Sequence, residues 1–295
     1  MSRLHRAPFA TPVDMSGKTV LVTGAAPGSI GGETADALRA WGAEVVTTTR
    51  SGGSHPLDLS EPASVQAFVD WFGQHHDSLD VLVNNAGVHL DLTNSWKQPH
   101  LTPDGHEIHW RVNFLGTMHL THLLLPVLEK TAGEKGESRI VNVVSMLHAL
   151  GRNAWMFEPA PSYRSWNAYG QSKLALVHLT HELQDRYRTQ GVRSYALHPG
   201  KVYTDIATKG LQEHPWLSRV RRAAAPLERL MLLTAEQGAQ TTLVCATEPG
   251  LEGGRYFDAC RVKPASTEAE DRATAIRLWN ETLDWVGALH DHPNG

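Results

Sequence analysis

Short apolar runs rich in β-branched residues alternate with longer amphipathic stretches along most of this chain. The apolar runs predict strands at Thr19–Thr23, Glu44–Thr49, Val81–Asn84, Arg139–Ser145, Arg193–His198 and Arg255–Asp258. The amphipathic stretches predict helices near residues 31–41, 61–73, 105–130, 168–190 and 235–247. Such alternation is typical of a parallel sheet that helices cover on both faces. The pattern therefore predicts an α/β fold with one doubly wound parallel sheet.

The connection after the second predicted strand is unusually short. Only Ser51–Pro56 separates that strand from Leu57–Leu59, where a third strand would be expected. Parallel neighbours normally need a crossover of about a dozen residues or more. We therefore expect the third strand and the helix before it to be shortened or displaced.

No linker divides the chain, so residues 17–290 are expected to form a single domain. Residues 1–16 are expected to be a loosely held N-terminal arm. The segment 131–138, which contains Gly, Glu and Lys, is expected to be a surface loop. With 41% hydrophobic and 20% charged residues, the composition is that of an ordinary globular protein.

Charge and cysteine content exclude several classes of function. The net charge is −4 and no basic stripe exists, which argues against a nucleic-acid partner. Two cysteines cannot form a disulfide framework. The start of the chain has no long apolar run, and no stretch approaches the roughly 18 apolar residues of a transmembrane helix. We therefore expect a cytoplasmic protein without an integral membrane segment.

A glycine-rich turn follows the first predicted strand and leads into a helix. It contains Gly24, Gly28, Ser29, Ile30 and Gly31. Glycines at such a turn let the backbone approach a pyrophosphate, and the helix N-terminus supplies N–H donors. A glycine-rich surface turn is the alternative. Because the turn follows the first strand of an alternating pattern, a Rossmann-type dinucleotide site is favoured.

Arg50 ends the second predicted strand, where a dinucleotide fold meets the adenosine ribose. An acidic residue there would bind the 2′-hydroxyl of NAD, whereas an arginine suits the 2′-phosphate of NADP. Ser51 and a mobile Gly52–Gly53 pair offer further donors. A solvated arginine at a strand end is the alternative. The sequence favours NADP(H) and leaves NAD(H) possible.

Tyr169 and Lys173 are four residues apart in a predicted helix, so both side chains lie on one helix face. An ammonium beside a phenol favours the phenolate and lowers its pKa. Such a tyrosine can exchange a proton with an alcohol or a carbonyl. By itself the spacing is also common by chance on exposed helix faces.

Other polar residues occur where predicted strands end. Asn84–Gly87 closes one strand, Ser145 ends the apolar run 140–144, and His198–Thr204 follows another strand. Asn113 lies within an apolar helical pattern, where a buried amide must be hydrogen-bonded. Each has an ordinary structural alternative as a turn, a strand terminus or a polar group on a helix face.

In this order, the residues resemble those of the short-chain dehydrogenases/reductases, from about Gly17 to at least Asp258. The motifs are TGAAPGSIG at 23–31, LDLS at 57–60, NNAG at 84–87, Asn113, Ser145, YGQSK at 169–173 and HPGKVYT at 198–204. WNAYGQSKLAL and GGRYFDAC are most similar to the retinol-dehydrogenase-like and WW-domain-oxidoreductase-like branch. The glycine motif is one residue longer than is usual in the family. Ser145 and Tyr169 are 24 residues apart, a longer spacing that the retinol-dehydrogenase-like branch shares.

The resemblance implies a catalytic set. Tyr169 would be the general acid or base, and Lys173 would lower its pKa and hold the nicotinamide ribose. Ser145 would orient the substrate oxygen, and Asn113 would hold a water that passes protons outward. The implied cofactor-binding residues are Gly24, Gly28, Ser29, Ile30, Gly31, Arg50, Ser51, Asp58, Leu59, Asn85, Ala86, Gly87, Tyr169, Lys173, Pro199, Gly200, Val202 and Thr204. The helices at 105–130 and 168–190 commonly pair between subunits in this family, so a homodimer or homotetramer is expected.

Two variable segments bear on the substrate. An aromatic-rich insertion spans 147–166, and in this family the region 205–233 forms a substrate lid. Apolar walls would suit a lipophilic or aromatic substrate, although packed core or an oligomer surface is the alternative. The expected substrate-lining residues are Leu147, Trp155, Phe157, Tyr163 and Trp216.

The leading hypothesis is an NADP(H)-dependent oxidoreductase that acts on a carbonyl compound or an alcohol. An NADPH-dependent C=C reductase and a non-catalytic dinucleotide-binding regulatory protein are the alternatives. No metal site is predicted. The histidine pairs His106/His109 and His119/His122 have no evident third ligand and are expected on solvated helix faces.

Overall fold

The computed structural model describes residues 9–200 and 233–291, whose strands form one eight-stranded sheet. The strands are β1 (Thr19–Thr23), β2 (Glu44–Thr49), β3 (Gly52–Gly53), β4 (Val81–Asn84), β5 (Ser138–Val143), β6 (Val192–His198), β7 (Tyr256–Asp258) and β8 (Arg261–Lys263). Their order is β3-β2-β1-β4-β5-β6-β7-β8. The central strands β2, β1, β4, β5, β6 and β7 are parallel, and each edge strand is antiparallel to its neighbour. All the predicted strands are present, within two residues of their expected bounds.

The described residues form six α-helices, which cover both faces of the sheet. They are α1 (Ile30–Ala40), α2 (Pro62–His75), α3 (Gly116–Lys135), α4 (Ser165–Tyr187), α5 (Ala235–Thr247) and α6 (Arg272–Asp291). One hydrophobic core lies between the sheet and α2, α3, α4 and α6, and a second lies between the sheet and α1 and α5. Side chains of β1 alternate between them, since Leu21 belongs to the first core and Val20 and Val22 to the second. This is the predicted doubly wound α/β fold.

The third strand is reduced as expected. Gly52–Gly53 folds back on the end of β2 as the two-residue antiparallel strand β3. The expected strand at Leu57–Leu59 makes one backbone bond to the neighbouring β2, from the N–H of Leu57 to the carbonyl of Thr49 at 2.9 Å. Leu57 and Leu59 are nevertheless buried. The glycines that the sequence suggested were mobile are therefore paired with β2.

The expectation of a loop over 131–138 is wrong. Helix α3 continues to Lys135 and ends at Gly136, whose φ of 90° gives the left-handed cap that glycine favours. Strand β5 then begins at Ser138. Glutamate and lysine are good helix formers, so the polar character of this segment reflects an exposed last helical turn.

The expectation of a loose arm is wrong for the part of 1–16 that the structure describes. The Ala10 N–H donates to Oε1 of Gln240 at 2.9 Å. The Met15 N–H donates to the Trp41 carbonyl at 2.8 Å, and the Met15 side chain is buried against the second core. This segment is therefore fastened to α1 and α5.

Helix α6 was not predicted, and it covers α4 on the first face of the sheet. Its buried residues include Leu278, Trp279 and Val286. The guanidinium of Arg186 lies 4.9 Å from the centre of the Trp279 ring, and that of Arg111 lies 4.9 Å from the Trp285 ring. Residues of α3, α4 and α6 also line one small cavity together. Within residues 9–200 and 233–291, none of the helices is long and apolar enough to cross a membrane.

Candidate active site

The candidate site lies at the carboxyl edge of the parallel strands, where α/β sheets place ligands. The glycine turn follows β1, residues 84–87 close β4, Ser145 follows β5, and Pro199–Gly200 follows β6. These strands are neighbours in the sheet, so their ends lie side by side. Helix α4 packs next to them and brings Tyr169 and Lys173 to the same edge.

Lys173 is fixed by the end of β5. Its ammonium donates a hydrogen bond to the Val143 carbonyl at 3.0 Å and lies 5.8 Å from the centre of the Tyr169 ring. Burial lowers the pKa of Lys173 to about 8. A Cβ atom on Gly87 would lie 3.2 Å from the same ammonium, so the glycine leaves room for it.

Tyr169 stays protonated at neutral pH. Burial raises the pKa of its phenol to about 12, and an interaction with the Ser145 side chain lowers it by a smaller amount. The lowering of the Tyr169 pKa by Lys173, which the helix-face spacing and the family resemblance implied, stays a prediction. In this structure the Lys173 ammonium is bonded to the Val143 carbonyl. A protonated phenol next to a serine hydroxyl can donate a proton to a carbonyl oxygen placed between them.

Asn113 connects the end of β4 to α4. It lies in a π-helical turn, Trp110–Leu115, a local geometry that is frequent at functional sites. Its Oδ1 accepts from the Val88 N–H at 2.7 Å, and its Nδ2 donates to the Val88 carbonyl and to Oγ of Ser172, each at 3.0 Å. The fully buried amide is therefore satisfied, and it fixes the loop after β4. Ser172 was not singled out from the sequence.

The glycines of the turn have separate roles. Gly24 has a φ of 66°, and a Cβ atom there would lie 2.8 Å from Cα of Ala86. A Cβ atom on Gly31 would overlap the Asn85 amide, so this glycine permits close packing. Gly28 has a φ of 72° and open space where a Cβ atom would be. The lengthened motif therefore uses Gly24 and Gly31 for packing and leaves Gly28 facing open space.

Residues 84–87 join the glycine turn to the rest of the site. The Asn85 amide donates to the Thr23 carbonyl at 2.9 Å and to the Gly24 carbonyl at 3.1 Å. Oγ1 of Thr23 accepts from the Asn85 N–H at 3.1 Å and from the Ala86 N–H at 3.0 Å. The Asn84 amide donates to Oδ1 of Asn142 on β5 and to Oγ1 of Thr121 on α3, which is a structural role. Thr23, which the sequence analysis missed, thus connects two of the motifs.

The turn and its surroundings fit a dinucleotide. Helix α1 begins at Ile30 with Ser29 as its N-cap, so its positive end adjoins the open space at Gly28. Arg50 is exposed at the end of β2 and forms no ion pair with the described residues. Asp58 is held within its own turn, since its Oδ1 accepts from both the N–H and the hydroxyl of Ser60. An adenine contact of Asp58 stays a prediction.

The insertion after Ser145 begins with a short helix next to the site and continues into residues that pack on the first core. Ser145 caps a short 3-10 helix, Met146–Leu150, by accepting from the Leu147 N–H at 3.2 Å. Phe157 packs against the first core, and the Arg277 guanidinium of α6 lies 3.7 Å from its ring centre. Phe157 therefore has a packing role, and its contact with a substrate stays a prediction. Trp155 is half-buried.

Two of the four histidines that the sequence placed on solvated faces are buried, so that expectation is wrong for these two. His109 is fully buried and His119 nearly so. Nδ1 of His109 donates to Glu107 at 2.7 Å, because its Nε2 already accepts from the Leu90 N–H at 3.1 Å. Glu107 also accepts from the Tyr163 hydroxyl at 3.0 Å, so this predicted lining residue belongs to a buried network.

His89 lies against Tyr169, and sequence reasoning missed it. The two rings are stacked with their centres 4.3 Å apart and their planes 11° apart. Its position, two residues after Gly87, was the only available signal.

At the end of β6, Gly200 adopts a φ of 89°. The predicted residues Val202, Thr204 and Trp216, with nearly all of the segment 205–233, lie outside the described residues.

Comparison with known proteins identifies the family. The family model described as short chain dehydrogenase matches residues 18–214. Retinol dehydrogenase 11 of Homo sapiens is 37% identical over 297 residues, covering 93% of this chain and 87% of that protein. Retinol dehydrogenase 14 of Mus musculus is 36% identical over 315 residues, covering 93% of this chain and 87% of that protein.

Solved structures agree. A crystal structure of an uncharacterized protein from Mycobacterium Paratuberculosis has a TM-score of 0.68 and 30% identity, covering 93% of this chain and 95% of that chain. The 3-ketoacyl-(acyl-carrier-protein) reductase from Brucella melitensis, complexed with NADH, has a TM-score of 0.60 and 25% identity. It covers 83% of this chain and 97% of that chain. The chain belongs to the retinol-dehydrogenase-like branch of the short-chain dehydrogenase/reductase family and is an NAD(P)-dependent oxidoreductase.

Proposed function

We propose that this oxidoreductase reduces an aldehyde or ketone with NADPH, using Tyr169 as the general acid. The observation that carries the proposal is the protonated phenol beside the Ser145 hydroxyl at the end of β5. Reduction of a carbonyl needs a proton on oxygen as the carbon is reduced, and a buried phenol with a pKa of about 12 holds that proton at neutral pH. In the reverse direction the same residue would accept the proton of an alcohol.

Each residue of the set has a distinct task. When bound, NADPH supplies a hydride to the carbonyl carbon. Tyr169 donates the proton, and Ser145 donates a second hydrogen bond that orients the substrate oxygen. Lys173, anchored on Val143, holds a positive charge close to the developing negative charge. Asn113 fixes the loop after β4 through Val88, so it keeps this constellation in position.

The preference for NADPH over NADH rests on Arg50. An exposed guanidinium at the end of β2, with no ion pair among the described residues, suits a 2′-phosphate. The hairpin turn at Arg50–Ser51 leads into β3, so backbone groups of Ser51 adjoin it in the chain. At this edge of the sheet the third strand is reduced to the two residues of β3.

The proposed substrate is a lipophilic or aromatic carbonyl compound. Met146, Leu150 and Trp166 are large apolar residues that remain exposed close to Ser145 and Tyr169 in the sequence. The relatives named as retinol dehydrogenases also favour a lipophilic substrate. Apolar walls with a few polar anchors are the usual construction of such pockets.

A panel of aldehydes and ketones that includes all-trans-retinal tests the function. Purified protein should consume NADPH with at least one member, and the product should be the corresponding alcohol. A saturated product with an intact carbonyl would point to C=C reduction instead. NADPH binding without any turnover across a broad panel would contradict the reductase proposal.

The expected homodimer or homotetramer remains a prediction. Helix α6 packs on α4, one of the two helices that were expected to pair between subunits. Any pairing through α3 and α4 must therefore use surface that α6 leaves free. Light scattering of the purified chain measures the assembly directly.

A further inference from the structure

His89 presents an unexplained polar group next to the proposed proton donor. Its ring is stacked on Tyr169 at 4.3 Å and meets the edge of Trp166 at 5.1 Å. The side chain is only 4% exposed. Its Nε2 is buried and has no hydrogen-bond partner among the described residues. A phenylalanine could form the same stack without a buried nitrogen.

The unpaired nitrogen has a cost. A buried donor or acceptor without a partner loses its hydration with nothing in exchange, and buried polar groups in native proteins are nearly always paired. The stack does not need that nitrogen, because ring contacts with Tyr169 and Trp166 hold the imidazole in place. A histidine at this position is therefore best explained by a partner that arrives with the substrate.

Neighbouring side chains do not supply the partner. Both nitrogens of His109 are used, one by the Leu90 N–H and one by Glu107. The Asp91 carboxylate accepts from the backbone and hydroxyl of Ser95 and from the Trp96 N–H. These groups are committed to the loop itself.

The reacting oxygen does not supply the partner either. A carbonyl oxygen has two lone pairs, and the proposed mechanism uses one for Tyr169 and one for Ser145. A group that pairs with His89 must therefore be a second polar atom of the substrate. Because the two rings lie against each other, that atom belongs close to the reacting carbon.

The second atom should be uncharged. Burial lowers the pKa of His89 to about 4, so the imidazole is neutral at pH 7 and attracts no anion. The nearby Asp91 stays ionised, because hydrogen bonds outweigh the effect of burial and lower its pKa to about 2. Its negative charge disfavours a substrate carboxylate. A neutral hydroxyl or carbonyl group suits the site.

We propose that His89 is a specificity-determining residue that hydrogen-bonds a second, neutral oxygen next to the reacting carbonyl, so that α-hydroxy or α-keto carbonyl compounds are preferred substrates. The proposal rests on the reductase function proposed above. It names a narrower class within the lipophilic or aromatic carbonyl compounds.

A matched pair of probes tests it. 1-Phenylpropane-1,2-dione and 1-phenylpropan-1-one differ only at C2, which is a carbonyl in the dione and a methylene group in the mono-ketone. Titration calorimetry of the full chain loaded with NADP+ should show roughly three- to tenfold tighter binding of the dione, the value of one neutral hydrogen bond. The His89→Phe variant should keep the affinity for the mono-ketone and lose the preference for the dione. Its melting temperature should be no lower than that of the wild type, because the unpaired nitrogen is removed.

His100→Phe is the control, since His100 stacks on Trp96 at 3.6 Å and 9° but is exposed. This control should retain the preference. Equal binding of the two ketones by the wild type, or an unchanged preference in His89→Phe, would overturn the proposal. Turnover separates it from the general function. A dione that binds preferentially and consumes no NADPH contradicts the reductase and leaves the His89 contact standing. Turnover of both ketones without preference supports the reductase and contradicts the His89 contact.

Discussion

Two regions of the site are held by different kinds of contact. One is the glycine turn after β1. The other is the wall beside Tyr169, which consists of His89, His109 and Tyr163. In the turn, glycine backbone packs closely on its neighbours. Gly24 lies against the Ala86 backbone, and Gly31 lies against the Gly24 carbonyl and the Asn85 side-chain amide. Oγ1 of Thr23 accepts from two N–H groups of the β4 end. In the wall, side chains that are distant in sequence meet. His89 stacks on Tyr169, and His109 and Tyr163 share Glu107.

This difference explains what each region tolerates. Where backbone packs on backbone, only glycine fits, and few substitutions preserve the geometry. Where side chains pack on side chains, many combinations fill the same volume. We therefore expect the turn to serve a constant ligand, the dinucleotide, and the wall to serve the ligand that distinguishes this enzyme from its relatives.

The largest expected effect tests the turn. Gly31→Val would drive its side chain into the Asn85 amide and the Gly24 carbonyl. Gly28→Ala meets no atom within 4 Å and is strained only by its φ of 72°. We expect Gly31→Val to lower the free energy of unfolding by about 3 kcal/mol and to abolish NADPH binding. Gly28→Ala should cost about 1 kcal/mol. Urea unfolding measures both, and equal stability of the two variants would contradict the packing role of Gly31.

The second effect tests the wall through the pH dependence of the free energy of unfolding. Burial lowers the pKa of His89 and of His178 to about 4, below the value of about 6.5 in an unfolded chain. The unfolded chain therefore binds more protons in this window, and the free energy of unfolding falls as pH drops from about 6.5 towards 4. Each histidine contributes up to about 3 kcal/mol.

Substitution isolates one of these contributions. His89→Phe should flatten the fall in stability between pH 6.5 and 4 relative to the wild type, while His178 retains its share. Urea unfolding at half-unit pH intervals measures the slope. An identical slope in the variant would mean that His89 does not remain neutral in the folded protein.

The third effect tests the contribution of Arg50 to cofactor preference. Arg50→Ala removes the guanidinium at the end of β2 and leaves the strand pairing intact. We expect NADPH affinity to fall roughly 10- to 100-fold, the value of a hydrogen bond to a charged group, and NADH affinity to remain the same. Fluorescence titration with both cofactors gives the ratio. A wild type that binds NADH as tightly as NADPH would contradict the NADP preference.

The smallest effect separates packing from pocket within the insertion. Phe157→Ala removes a half-buried ring from the first core and from the Arg277 guanidinium. It should lower the free energy of unfolding by about 1–2 kcal/mol and leave KM unchanged. Trp155→Ala, at the half-buried neighbour outside that core cluster, should affect KM more than stability. Reversed effects would return Phe157 to the pocket.

Much of the fold could be read from periodicity. The strands are short β-branched runs, and the reduced third strand follows from the length of Ser51–Pro56. Helix α6 was missed because its apolar residues are interleaved with charged ones and follow the last recognised motif. The end of α3 was missed because the composition of 131–138 is shared by loops and exposed helical turns.

The residues of the site also fall into those that local sequence patterns reveal and those that they do not. The spacing of Tyr169 and Lys173, the glycine turn and the 84–87 run are local patterns, so the sequence contains them. The stack of His89 on Tyr169 joins positions 80 residues apart, and no periodicity encodes such a contact. The pKa of Tyr169 likewise depends on burial, which a helix-face spacing cannot report.

The most direct test of the account is the single-turnover rate of NADPH oxidation by Tyr169→Phe with a carbonyl compound that the wild type reduces. The variant keeps the ring that stacks on His89 and loses the proton. We predict a rate roughly 10²- to 10⁴-fold lower than that of the wild type, with an unchanged Kd for NADPH. A rate close to that of the wild type would contradict the assignment of Tyr169 as the proton donor.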